Sequence, residues 1–228
     1  IAPMKAINQL NHEPKDIEWL NQLLEVLAET CGVPSALIMR VIPNEIEVFA
    51  SAKTEQSPYE IGGKEPLNCG LYCEYVMSKR SSLLVPDATK DAAWSSNPDI
   101  KLGMISYLGY PLVWPNNEVF GTICILDSKR NEYSPKIEGM VDLFKSIVEK
   151  YLALIFEAQR AKSTLESLQE NRKELAKAII LAIDEKASNG KVLKNTSDSL
   201  AGVVEDLLNF LRLSALQDMS TQEVDVQN

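Results

Sequence analysis

Histidine is almost missing from this 228-residue chain: His12 is the single one, close to the start. Nearly the whole sequence therefore lacks the commonest general base at neutral pH and the commonest metal-ligating side chain. Four cysteines are too few for a disulfide framework, and they fit a reducing cytoplasm better than an oxidising compartment. Basic side chains are outnumbered, 23 against 32 acidic, for a formal charge of −9. They form no block either, so neither nucleic acid nor anionic lipid is an expected partner. Long apolar runs are also lacking: the stretch 152–156 is among the longest and is cut by charges well short of the roughly 20 residues that span a bilayer. The chain opens at Ile1 without Met and with no basic, apolar, small-residue series that reads as a secretion signal, so a piece of a longer, cytoplasmic protein is expected.

What is present is a hydrophobic fraction of 45%, enough for one full core with roughly a third of the length left over. The pattern changes near Ser134. Before it, short apolar runs alternate with turn signals. Residues 16–30 carry Ile17, Leu20, Leu24 and Leu27 on one helical face and stop at Cys31-Gly32. The runs 35–42 and 45–52 flank Pro43-Asn44 and read as a hairpin. Residues 53–66, with Gly62-Gly63, read as a loop, 71–78 as a short helix and 82–85 as a strand. Residues 87–104 read as irregular, with a helical turn opening at Asn97-Pro98. The runs 106–114 and 118–126, joined by Pro115-Asn116-Asn117, form the clearest hairpin. Helix, antiparallel sheet and covering segments make an α+β domain over residues 1–135.

From Ser134, an N-cap with Pro135 at the first helical position, apolar residues recur at a strict 3,4 spacing. They run from Ile137, Met140, Phe144, Ile147, Tyr151 and Leu154 through Leu165, Leu168, Leu175 and Ile179 to Ala182. Arg172 alone interrupts them. A seam sustained over so many heptads predicts a helix of about 50 residues, roughly 75 Å long. Such a seam calls for a partner helix rather than a place on the globular core. A second copy through residues 137–182, in a parallel homodimer, is the expected partner. Ser188-Asn189-Gly190 then supplies a stop, and a second amphipathic helix from Leu193 to about Leu216 completes a hairpin that a dimer would close into a four-helix bundle. The segments are thus 1–135, a long helix at 136–187 whose start packs on the first domain, and 188–228.

Several stretches resemble a known family. Pro66-Leu67-Asn68-Cys69-Gly70-Leu71-Tyr72-Cys73-Glu74 and Leu84-Val85-Pro86-Asp87-Ala88 are followed by Trp94 and Asn97-Pro98-Asp99. Then come Ser106-Tyr107-Leu108-Gly109-Tyr110-Pro111-Leu112 and Phe120-Gly121-Thr122-Ile123-Cys124-Ile125-Leu126-Asp127. Together, over about residues 14–156, these resemble bacterial GAF domains fused to histidine kinases and cyclic-dinucleotide enzymes. The resemblance implies a GAF-like six-stranded antiparallel sheet with flanking helices and a small-molecule pocket on one face. The region from Leu193 to Val226 resembles the dimerisation and phosphotransfer hairpin of a sensor histidine kinase. It departs from that family in having no phosphoacceptor histidine at 169–185. A two-component, histidine-kinase-like parent is the expectation, with no catalytic residue on this stretch, which is then either a phosphotransfer-type bundle without its acceptor or one whose output is purely conformational.

The candidate ligand-binding residues are Cys69, Tyr72, Cys73, Trp94, Tyr107, Gly109, Thr122 and Cys124. Tyr72, Trp94 and Tyr107 suit either a planar ligand or plain core packing, whereas Trp114 and Tyr110 favour packing. Thr122 and Cys124 alternate along a strand with Ile123 and Ile125, so the small polar pair is expected to face the pocket and the isoleucines the helices. Gly109 and Gly121 sit where a side chain would crowd a backbone or a ligand. Cys69 and Cys73, four apart, would share a helical face as a redox pair or soft-metal site, though ordinary buried cysteine is the commoner role. Zinc spacing is absent and no metal is expected. Covalent bilin and haem are not expected: Gly70, Glu74 and Ile125 follow the cysteines where a histidine commonly stands, and no C-x-x-C-H occurs. The ligand is therefore unassigned. The rival readings are a cysteine-dependent enzyme of the free methionine sulfoxide reductase type and a purely structural dimerisation module.

Overall fold

The computed structural model describes residues 14–188. His12 and the second helix of the expected hairpin lie outside the described residues. The chain divides into two units, one reaching to Lys162 and the other starting at Ser163.

The first unit is an α+β domain built on one antiparallel sheet. Helix α1 (Pro14–Cys31) leads into β1 (Ser35–Ile42) and β2 (Glu45–Ser51), then β3 (Lys64–Pro66). Helix α2 (Tyr72–Lys79) and β4 (Leu83–Val85) follow, then β5 (Ser106–Val113), β6 (Val119–Asp127) and helix α3 (Pro135–Ser188). The strands lie in the order β3-β2-β1-β6-β5-β4. β3 falls in a stretch that the sequence presents as loop. Its three residues are exposed and carry no hydrophobic alternation, and pairing with β2 alone makes them a strand. The segment read as irregular holds two 3-10 turns, Ala88–Lys90 and Pro98–Leu102.

Local chemistry sets the boundaries. α1 ends at Gly32, whose φ of +65° favours glycine. The N–H of Val33 reaches back to the carbonyl of Ala28 at 3.0 Å, satisfying a last-turn acceptor. At the start of α2 the Glu74 carboxylate accepts from the N–H groups of Cys69 and Leu71 at 3.1 and 3.4 Å. The hydroxyl of Ser134 accepts from the N–H of Ile137 at 3.4 Å, capping α3 as expected. The β5–β6 hairpin turns at Pro115-Asn116-Asn117, with Asn117 at φ +65°. Phe120 is the extra residue of a bulge, because Leu112 pairs with Gly121 and Val113 with Val119.

Both faces of the sheet are covered. Leu20, Leu24 and Leu27 of α1 join Ile38, Leu108, Leu112, Ile123 and Ile125 in one core, which Val141, Val148 and Leu152 of α3 complete. Burying each such leucine or isoleucine contributes about 1.5–3 kcal/mol. On the opposite face Leu37, Met39, Val48, Tyr107, Cys124 and Leu126 meet Leu71, Tyr72, Cys73 and Val76 of the α2 region.

At the start of α3, Ile137, Met140, Phe144 and Tyr151, which fall on the seam, pack against the domain core. The spacing marks a face that needs cover, and the sheet is near enough to cover it. In the second unit the same spacing leaves Leu165, Leu168 and Leu175 58%, 60% and 63% exposed on this chain.

Candidate functional site

The α2-covered face is built around stacked aromatic rings. Tyr72, at the start of α2, lies over Tyr107 of β5 with centroids 4.6 Å apart and planes 25° apart. Trp94 tilts against Tyr72 at 5.1 Å, and Tyr75 meets Trp94 edge-on at 5.6 Å. Tyr72 and Tyr107 are fully buried. Gly109 lies on the same face of β5 as Tyr107, and a Cβ there would come within 2.1 Å of the Tyr107 hydroxyl oxygen. Its lack of a side chain admits the phenol. At Gly121 a Cβ would meet the backbone carbonyl oxygen of Met39 at 1.8 Å, so that glycine permits the close approach of β1 and β6.

Beneath the rings lies a sulfur cluster. Thr122 and Cys124 point to the α2 side while Ile123 and Ile125 enter the helix-side core, as strand alternation requires. The Thr122 hydroxyl donates to Cys73 Sγ at 3.2 Å, and the Tyr107 hydroxyl lies 3.6 Å from the same sulfur. The Cys73 thiol is pulled down by a hydrogen bond from Cys124, with Thr122 and Tyr107 adding to it against the opposing effect of burial. Cys124 is pushed well up by that same hydrogen bond and by burial.

Cys69 does not join them. Asn68 and Gly70 at φ +68° and +88° turn the backbone before α2 begins at Tyr72, so Cys69 and Cys73 share no helical face. Cys69 is exposed, and its thiol is pushed up by desolvation and by the nearby Glu74 carboxylate.

Sequence reasoning missed a polar pair beside the rings. The Tyr59 hydroxyl donates to Asp99 Oδ1 at 2.8 Å. Burial pushes the Asp99 carboxyl up to about 6, opposed by that hydrogen bond. The loop that carries Asp99 is anchored by Asn97, which accepts from the Asp99 N–H at 2.9 Å and donates to the Gly70 carbonyl at 2.9 Å. The Asn97-Pro98-Asp99 signal was visible as a helical turn, but its reach to Gly70, 27 residues away, was not. The Tyr72 hydroxyl, by contrast, is buried with no hydrogen-bond partner.

The space expected to hold a ligand is thus filled by Tyr72, Tyr107 and Trp94. An open cleft of about 590 Å³ lies beside it, lined by Leu67, Leu71, Glu74, Tyr75, Met77 and Trp94 among others. Of the eight candidates only Trp94 lines this cleft. Glu74, its one charged lining residue, already holds the start of α2.

β5 links this face to α3. It presents Tyr107 and Gly109 under α2, while the Tyr110 hydroxyl donates to the Glu138 carbonyl at 3.4 Å. The Val113 N–H donates to Glu149 Oε1 at 3.1 Å, and Lys145 holds the other Glu149 oxygen at 2.8 Å.

Comparison with known proteins agrees with this architecture. The model of the GAF domain family matches residues 17–149. The chain is 25% identical over 157 residues to the diguanylate cyclase DgcP of Escherichia coli K12, a match covering 64% of this chain and 43% of that protein. Among solved structures it is similar to the GAF domain of Thermosynechococcus elongatus PixJ in its blue-light absorbing form. The TM-score there is 0.55 at 14% identity, over 68% of this chain and 96% of that one. It is also similar to the chromophore-binding domain of the bacteriophytochrome RpBphP3 from R. palustris. That likeness has a TM-score of 0.51 at 12% identity, over 68% of this chain and 59% of that one. At these identities the structures speak for the fold alone.

Proposed function

Since the chain belongs to the GAF domain family, we propose that it is the sensing module of a cytoplasmic signalling protein, responding to a small molecule on its α2 face and relaying the change through α3. The observation that carries this reading is the double role of β5, which supports the Tyr72–Tyr107 stack on one side and binds Glu138 and Glu149 of α3 on the other. A ligand entering beside Trp94 and displacing the stack would move the strand that seats α3. It changes the output only insofar as it binds the two packings with different affinity. The stretch itself carries no catalytic residue in this reading.

The seam exposed at Leu165, Leu168 and Leu175 supports a parallel homodimer as the output element. Both a histidine-kinase-like and a cyclase-like parent suit such an element. The missing histidine at 169–185 weighs against phosphotransfer, and the likeness to DgcP weighs for the cyclase, although the chain spans under half of that relative. No covalent bilin enters this reading, because no histidine follows Cys69, Cys73 or Cys124 and stacked rings fill the inner space.

That same filling favours a second reading, a dimerising module without a ligand. Two measurements separate them. Light scattering is expected to give twice the chain mass, and Leu165→Lys with Leu168→Lys to lower it toward one; a monomeric parent chain defeats the dimer in either reading. Native mass spectrometry is expected to find a small molecule retained by the chain and lost in Leu71→Trp, which fills the cleft. A dimer that retains nothing supports the module without a ligand.

A further inference from the structure

We propose that Cys73 and Cys124 form an oxidant-responsive dithiol site, which a hydroperoxide closes into a disulfide linking α2 to β6. The placement of the two sulfurs carries this. Cys73 projects from α2 and Cys124 from β6 into the same buried cluster, where Cys73 Sγ lies 3.2 Å from the hydroxyl of Thr122, two residues before Cys124 on β6, and 3.6 Å from that of Tyr107, which overlies Gly109, the cross-strand partner of Cys124. The pair is 51 positions apart in sequence, so only the fold brings it together.

The surroundings divide the roles. Cys73 Sγ faces the hydroxyls of Thr122 and Tyr107, two groups that stabilise a thiolate there. Cys73 is also the more accessible of the two, at 8% exposure against 1% for Cys124. The other two cysteines lack these features. Cys31 lies in the opposite core with its thiol pushed up by burial, and Cys69 is exposed with its thiol pushed up.

The chemistry balances in two steps. The Cys73 thiolate attacks one oxygen of the hydroperoxide; the S–O bond forms, the O–O bond breaks, and the departing alkoxide or hydroxide takes a proton from water. Cys124 then gives up its proton and attacks the sulfenic sulfur. The S–S bond forms, the S–O bond breaks, and the leaving hydroxide takes up the proton released by Cys124 as water. The two thiols lose two electrons and the hydroperoxide gains them. A bond of about 2.05 Å then joins the two sulfurs, which draws α2 against the sheet beside Tyr72 and Tyr107. The site acts once per oxidation and needs no bound ligand, so its failure would leave the small-molecule reading untouched.

The test treats the reduced full chain with hydrogen peroxide, then counts thiols and maps peptides by mass spectrometry. The four free thiols are expected to fall to two, with the chain lighter by two hydrogens. A crosslinked peptide pair should contain Cys73 and Cys124. Cys73→Ser and Cys124→Ser should each abolish the crosslink, and Cys69→Ser should retain it. Because the wild-type map decides the linkage, a poorly folded variant does not obscure the result. A linkage through Cys69, a disulfide only between chains, or four thiols persisting in the native chain while the urea-unfolded chain oxidises would overturn the proposal.

Discussion

Replacing Tyr72 with phenylalanine tests whether its hydroxyl is the misfit that the structure shows. The phenol is fully buried and its oxygen has no hydrogen-bond partner. Desolvation, with Asp99, Asp87 and Asp91 nearby, pushes the phenol further toward its neutral form. The ring earns its place independently, stacked at 4.6 Å on Tyr107 and at 5.1 Å against Trp94. Tyr72→Phe keeps both ring contacts and removes a polar atom whose unpaired burial costs about 1–3 kcal/mol. The domain should therefore become more stable, with a melting temperature raised by roughly 2–12 °C at about 2–4 °C per kcal/mol for its size. Tyr107→Phe is the control. Its hydroxyl lies 3.6 Å from Cys73 Sγ, so its loss should leave stability unchanged or lower it slightly. Thermal melts followed by circular dichroism, with urea titration to check that the m-value holds, measure both. A Tyr72→Phe chain melting below the parent would refute the reasoning, because it would mean that the hydroxyl is satisfied.

The carboxyl of Asp99 has its pKa raised from 3.8 to about 6, so the folded chain binds a proton that the unfolded chain releases. Its contribution is full below about pH 4 and is lost as pH rises through about 6, a change of about 3 kcal/mol at most. Asp99→Asn keeps an acceptor for Tyr59 and should flatten that slope in urea titrations run across the window; an unchanged slope would assign it to other groups. Gly121→Ala should destabilise by about 3 kcal/mol or more, since the new methyl meets backbone rather than a movable side chain. Gly139→Ala, with open space around it, should not. Equal melting temperatures for these two alanine variants would contradict the close approach of β1 and β6.

Much of the frame was legible because its signals are local. Gly32 ends α1, Ser134 and Pro135 open α3, and the alternation of Thr122 and Cys124 with Ile123 and Ile125 assigns each pair to its face. Each depends on one backbone conformation or one side-chain period. β3 was not legible, because three exposed residues gain their strand geometry from β2 rather than from any pattern of their own. The site was legible only as a set of residues. Seven of the eight candidates lie off the cleft, and Thr122, expected to leave room, is fully buried against Cys73.

The sequence by itself determined which faces of the strands and helices are apolar, where the elements begin and end, and that one long amphipathic helix follows the sheet. Periodicity and capping act within a few residues, so one chain suffices to read them. Only the tertiary structure decided what covers each face. The spacing that marks Ile137, Met140, Phe144 and Tyr151 also marks Leu165 and Leu168, yet the first group packs half-buried against the domain core and the second is exposed. It decided likewise that Cys73 shares its buried cluster with Cys124 rather than Cys69, and that Tyr59 meets Asp99. Such pairings depend on which distant segments the closing sheet brings within a few ångströms, a property of packing that no local period encodes.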